Sequence, residues 1–500
     1  MAPKKTKSTD STSIPQPSDP STHGNIIEKS LKTLSPYKYC LNTLIDLRTD
    51  FKGLGPAFLD EAPSSISPFY PSADVLPFLQ TFPPNENGSL PHFHFRTWYS
   101  PNDAWINWVD RVGAVKGEIW KDCGIYDAIQ LSKTNIAQDR ALMIAAMFNW
   151  STTTNSLHLK CGMMAPTIQD VCYLTGLKPF GIDVSTLLVE EDSPFIFPSK
   201  QTGTKSSESS YGKYLTSTMD PRVPVNDAEH IAFLLAWLNK FLLCIPAFQV
   251  TKDFIHVAVA LSRGKHLALA PLVLSHLYKG IYDLFTSNFG RYSGPLWLFQ
   301  IWLQVYFPEL GLVVRPSAND PLLSVSYASA VPKSHSFGDC VNFFYSGCEQ
   351  RTISQFLPFS HCSQAPRCLT PPQGVSTKKL ADKHSAMWAS FLLSRDLHFN
   401  TGPLGTVNSK VGVEFYNPNQ LARQFGLTQM IPMPPYFSFN KNFHRRVVFP
   451  DDSYVKNVSS RFSNLQAGFQ FQPFIKNPAS DSSFDQWWSS YITSTRTADS

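Results

Sequence analysis

Nine cysteines, 13 histidines and a scatter of lysines are the side chains of this 500-residue chain from which reaction chemistry would have to be built. Cys340, Cys348, Cys362 and Cys368, with His335 and His361, share one region but lack the C-x₂₋₄-C spacing of structural zinc sites. His92-x-His94 places two imidazoles on one side of an extended segment without further ligands nearby in sequence. Gly338-Asp339-Cys340-Val341-Asn342 is a faint echo of the GDxxD element of metallophosphatases, but Asn342 stands where a second carboxylate is needed. Neither GxGxxG nor GxxxxGK[ST] occurs, and Gly264-Lys265 and the Gly402, Gly405, Gly412 series lack the partners that would cradle a phosphate. A nucleophile elbow is absent too. Lys160, Lys240 and Lys265 could in principle form a Schiff base, yet the alternating strand and helix pattern of a pyridoxal enzyme is missing. The expectation is a protein without catalytic residues, cofactor or metal.

Positive charge offers another kind of chemistry. Lys441, Arg445 and Arg446 alternate with aromatic and apolar groups in KNFHRRVVF, a pattern able to contact phosphates while Phe443 or His444 stacks. The competing reading is a solvated cationic edge. Arg140 and Arg423 lie in apolar helical stretches, where an ion pair is expected because an unpaired buried charge is costly. The net charge of +5 does not by itself indicate a nucleic-acid binder. Only 16% of residues are charged against about 25% in typical domains, while 43% are hydrophobic, so a large core is expected and disorder throughout is excluded. The N-terminal residues lack a signal-peptide core, no stretch reaches the ~20 apolar residues of a membrane span, and the odd, scattered cysteines suit a reducing compartment. Lys4, Lys5 and Lys7 form a short basic cluster compatible with nuclear import.

The elements that must position these groups read as mainly helical. Residues 1–33 form a Ser/Thr/Pro/Lys tail, and 34–98 a Pro- and aromatic-rich wrapping segment whose prolines forbid long helices. Asn102 or Asp103 caps a helix carrying Trp105, Trp108 and Val112, and a second helix runs from Asp139 to Trp150. In APTIQDVCYLTGLKPFG, Thr167 and Asp170 make a capping pair, Ile168, Val171 and Leu174 one apolar face, and Gly176 with Leu177 the stop. Residues 199–218, half of them Ser or Thr, read as a polar insertion. Asn226 caps the next helix, with Glu229 reaching back and an apolar stripe to Ile245. Gln300 and Gln304 share a face of the helix bracketed by Pro295 and Pro308, so the rest of its circumference is expected to be buried. Residues 316–378 read as loop, Leu380 to Leu397 as helix, LARQF as a short helix opened by Asn417, and Ser482 with Asp485 as the cap of a final segment. The fold class is mainly α, an irregular multi-helix body with loop insertions and a few short strands.

Several of these segments, taken in order, resemble the plant mobile domain, the module of the maintenance-of-meristems-like proteins, often labelled aminotransferase-like and also carried by plant transposable elements. The resemblance starts at GIYDAIQLSKTNIAQDRALMIAAMFNW, where the family has a helix ending in a tryptophan, here Trp150. It continues through the hallmark positions Thr167, Asp170, Val171, Leu174, Gly176, Leu177 and Gly181, then AFLLAWLNKFLLC, GKHLALAPLVLSHLYKG, GPLWLFQIWLQVYFPEL, YNPNQLARQFGLTQMIP and FDQWWSSY. It covers residues 99–491, leaving 492–500 as a tail. Cys172, Tyr173 and the long Ser-rich insertion depart from the usual pattern and point to a divergent, transposon-related branch. The resemblance implies a nuclear, non-enzymatic protein-interaction module with a role in meristem maintenance and development, genome stability or transposon silencing. Its implied partners are nuclear proteins, a phosphatase-like protein among them, or nucleic acid, and not a membrane. It carries over no catalytic residue.

Overall fold

A computed structural model describes residues 95, 97–152, 154–188, 194–197, 210–247, 249–286, 293–311, 323–329, 335–361, 377–400, 411–432, 448–449, 455–456, 459–460, 462–463, 466–467, 469 and 476–497. Helix α1 (Asp103–Cys123) opens where the Asn102 side chain accepts the Trp105 amide at 3.0 Å, as its sequence predicts. It buries Trp105, Trp108, Val109, Val112 and Trp120. These indoles meet the downstream helix directly: Trp105 and Trp120 stack on Phe233 at 5.2 and 5.1 Å. After α2 (Tyr126–Leu131), helix α3 (Arg140–Met147) ends before Trp150, which opens strand β1 (Trp150–Ser151) instead of closing the helix. β1, β2 (Ser156–Leu159) and β3 (Gly162–Met164) form an antiparallel sheet with Trp150 opposite Leu157 and Leu157 opposite Met164. All their residues are buried, so no period-two alternation marks them in sequence.

Helix α4 (Ile168–Thr175) packs among the helices that build the core. These are α6 (Asp227–Trp237), α7 (Ile255–Ser262), α8 (Leu269–Thr286) and α9 (Leu296–Tyr306). Within the expected Ser/Thr insertion, α5 (Tyr211–Thr218) is helical and pinned by the buried Tyr214, whose hydroxyl donates to Ala232 O at 3.2 Å. The stripe to Ile245 does not stay α-helical: beyond Trp237 the chain widens into a π-turn over Leu238–Leu242, with Asn239 bonding Leu235 O and Thr251 N. Helix α9 is buried all round, its two glutamines included: Gln300 accepts the Asp139 amide and donates to Ala137 O, whereas the buried Gln304 Oε1 finds no hydrogen-bond partner among the described residues.

Residues 316–378 are not simply loop. They hold α10 (Leu323–Ser329), α11 (Phe337–Asn342), α12 (Ile353–Phe356) and the start of α13 (Thr377–Leu392). The capping boxes Ser336/Asp339 and Thr352/Gln355 start two of these short helices, which offer too few turns to show a periodic pattern. The helix expected to reach Leu397 stops at Leu392. Its last residues belong to β4 (Arg395–Asn400), which pairs with β5 (Val411–Tyr416), itself flanked by β6 (Val448–Phe449). Asn417 caps Pro418–Phe425 as expected, though the turn is 3₁₀. Helix α14 (Ser482–Thr497) extends into the expected 492–500 tail, and Asp481 caps it rather than Ser482, accepting the Phe484 amide at 2.6 Å. The body is mainly helical, with two small three-stranded antiparallel sheets among the described residues.

Candidate functional site

The hallmark residues assemble a structural joint. Thr167 Oγ1 accepts the Asp170 amide at 3.1 Å, while Asp170 Oδ2 accepts the Thr167 amide and hydroxyl at 2.7 and 2.8 Å. Asp170 Oδ1 takes the Tyr306 hydroxyl at 2.7 Å, tying α4 to α9. Burial pushes this carboxyl up to about 6, although its hydrogen bonds oppose the shift. Val171, Leu174 and Leu177 are fully buried. Gly176 stops the helix at φ +73°, where an added Cβ would stand 2.9 Å from Asp127 Cβ. Gly181 lets the chain pass close to the following layer, a Cβ there falling 2.6 Å from His266 O.

Just beyond Gly181 lies a cavity of about 60 Å³ containing Asp183, Arg395, His398 and Ser459. Ser185 Oγ donates to Asp183 Oδ1 at 2.7 Å and lies 3.2 Å from His398 Nδ1. Ser459 donates to the other Asp183 oxygen. Burial alone would raise the Asp183 carboxyl, but His398 and the two serines outweigh it and hold the group below the usual value. The order is Asp–Ser–His, with the hydroxyl in the middle. The order differs from that of a Ser–His–Asp triad, in which the imidazole lies between hydroxyl and carboxylate. Arg395 closes the same cavity, donating to Ser390 O and Leu393 O while its guanidinium lies 4.0 Å from the Phe462 ring. Burial lowers it to about 10.

A larger, open groove of about 790 Å³ runs between the turn after β2, the segment 349–351, Arg423 and one face of α14. Its walls are fixed by long-range bonds. Trp488 Nε1–H donates to Leu159 O at 2.8 Å, His158 Nδ1 meets the Tyr491 hydroxyl at 2.8 Å, and Cys161 N–H donates to Cys348 O at 2.8 Å. The ion pair expected for Arg423 does not form. Its guanidinium donates to Cys161 O and rests 4.4 Å from the Phe356 ring and 5.5 Å from Phe484, so carbonyl and ring faces take the place of a carboxylate. Burial lowers its pKa. Arg351 is 4.5 Å from the Phe307 ring and donates to Tyr306 O. Lys160 stands 3.6 Å from Glu349 on the rim. Sequence reasoning missed this groove because its cations come from positions 160, 351 and 423, and no local pattern joins them.

Lys441, Arg445 and Arg446 lie outside the described residues, as do His92 and His94, Lys4, Lys5 and Lys7, and the cysteines Cys362 and Cys368. Among the described residues no three His, Cys, Asp or Glu side chains gather where a metal ion could be held. Burial pushes the Cys340 and Cys348 thiols up to about 12. Asp339 serves as the capping partner of Ser336. Among the described residues no helix is long and apolar enough to cross a membrane.

Neither a curated protein nor a solved structure matches the chain. A family model does: the plant mobile domain matches residues 124–489, from the residue after α1 into α14, and takes in the capped helix α4, the small cavity and most of the groove. With well over half of its length matched, the chain belongs to the plant mobile domain family.

Proposed function

We propose that this protein is a non-enzymatic interaction module of the nucleus, of the maintenance-of-meristems-like kind and on a transposon-related branch. It would act in meristem maintenance, genome stability or transposon silencing, and would recruit nuclear partners such as a phosphatase-like protein. The observation that carries this reading is the open groove, which four distant segments of the chain build and hold open with cations on its walls.

The test is a photo-crosslinking residue placed at the exposed rim position Gln350, with Val115 on the solvent face of α1 as the control. In plant cells the protein should be recovered from nuclei, with protein adducts from the Gln350 derivative alone. Recovery only outside the nucleus, or equal adducts from both positions, would sink the proposal. A second reading, direct nucleic-acid contact through Lys441, Arg445 and Arg446, rests on the cation and aromatic alternation of KNFHRRVVF. Charge reversal at those three positions should then abolish salt-sensitive binding, and unchanged binding removes the site.

A further inference from the structure

Two guanidiniums in the groove share one aromatic ring. Arg423 is only 7% exposed and lies 4.4 Å from the Phe356 centroid, with Arg351 at 6.0 Å from the same ring. Among the described residues neither has a carboxylate within ion-pair distance. Backbone oxygens are their main partners: Cys161 O for Arg423, Tyr306 O and Gln355 O for Arg351, whose other bond goes to Cys348 Sγ at 3.8 Å. The Nε of Arg351 is buried and has no hydrogen-bond partner. At the wall of an open groove, the buried Arg423 and the partly buried Arg351 thus have no carboxylate in ion-pair contact, and Asp485 acts on Arg423 only through space. Guanidinium forks match planar or tetrahedral oxyanions with paired hydrogen bonds.

Resting on the reading of this groove as an interaction surface, we propose that it docks an extended peptide presenting one oxyanion to Arg351 and Arg423. The oxyanion is an aspartate or glutamate carboxylate or a phosphorylated side chain. Two features favour a peptide over a nucleic-acid strand. First, Phe356, Phe484 and Trp488 are 4%, 1% and 2% exposed, and Phe484 stacks on Trp488 at 6.0 Å, so no ring face is offered to a base. Second, Glu349 and Asp485 line the same groove, and a continuous phosphate backbone would run past both negative charges, whereas a single oxyanion on an otherwise neutral chain need not.

The proposal is tested with the full chain and fluorescein-labelled Gly/Ser-flanked peptides bearing serine, glutamate or phosphoserine at the centre, with a labelled uridine oligonucleotide as the nucleic-acid arm. Glutamate or phosphoserine should improve affinity by about tenfold over serine, and Arg351→Gln should remove most of that preference. Preference for phosphoserine alone identifies a phosphate source; preference for both shows that a carboxylate suffices. Asp485→Asn, a change at an exposed rim position, should tighten the same peptides about two- to threefold. Equal binding of the serine peptide, a preference untouched by Arg351→Gln, or tighter binding of the oligonucleotide overturns the proposal. If Arg351→Gln does not fold, Asp485→Asn decides, and unchanged or weaker binding counts against it. Nuclear adducts at Gln350 without any oxyanion preference would leave the interaction module standing and remove this inference alone.

Discussion

Asp170 shows how much of this molecule rests on single polar contacts. Its carboxylate closes the N-terminus of α4 and receives the Tyr306 hydroxyl from α9, all in a fully buried setting. Asp170→Ala is expected to cost about 2 to 4 kcal/mol in urea denaturation, from a lost cap and a stranded buried hydroxyl. Thr167→Ala should cost about 1 to 2 kcal/mol, since it removes the cap and the hydroxyl bond to Asp170 but leaves the Tyr306 bond in place. Because the folded-state value of about 6 lies above the ordinary 3.8, this carboxyl favours folding most at low pH. Its contribution is lost as pH rises from about 4 through about 6, and Asp170→Asn should flatten that part of the stability profile.

Helix α14 depends on partners far away in the chain. Trp488→Phe deletes the bond to Leu159 O and also part of a buried ring, and Tyr491→Phe deletes only the bond to His158. Tyr491→Phe should cost about 1 kcal/mol and Trp488→Phe about 2 kcal/mol, and amide exchange should quicken in α14 before it does in α4. The contrast between these helices also explains what could be read in advance. Caps at Asn102, Thr167, Asn226 and Asn417 are local, so residue type and spacing revealed them. Glu229 sat at the right spacing to reach back to its own helix. Instead it accepts Arg111 Nε at 2.9 Å and Trp108 Nε1 at 3.1 Å, from a helix more than a hundred residues earlier. Arg423 was legible as a buried cation but not its partners, because ring faces and a carbonyl leave no pairing code in sequence. The fully buried strands β1 to β3 hid for a similar reason: a strand covered on both faces loses its alternation.

At the scale of the whole molecule, burial of neutral imidazoles governs the response to acid. His158 is pushed down to about 3, and His230, His256 and His276 to about 4, in each case by desolvation. Folded-state values below the ordinary 6.5 stabilise the fold above that pH and are lost as pH falls through about 4. Four such groups outweigh the opposite trend of Asp170. Thermal melts should therefore show Tm falling steadily from about pH 6.5 to about pH 4, and His158→Gln should make the decline shallower. A Tm that rises over this range would contradict the burial of these rings. The bond between His158 and Tyr491 has one further consequence. It spans 333 positions, so the first sheet emerges from the ribosome roughly 15 to 70 s before the helix that covers it. Throughout that interval the Leu159 carbonyl stands without the Trp488 indole that covers it, and the nascent chain must be sheltered, or must stay soluble unaided, until α14 arrives.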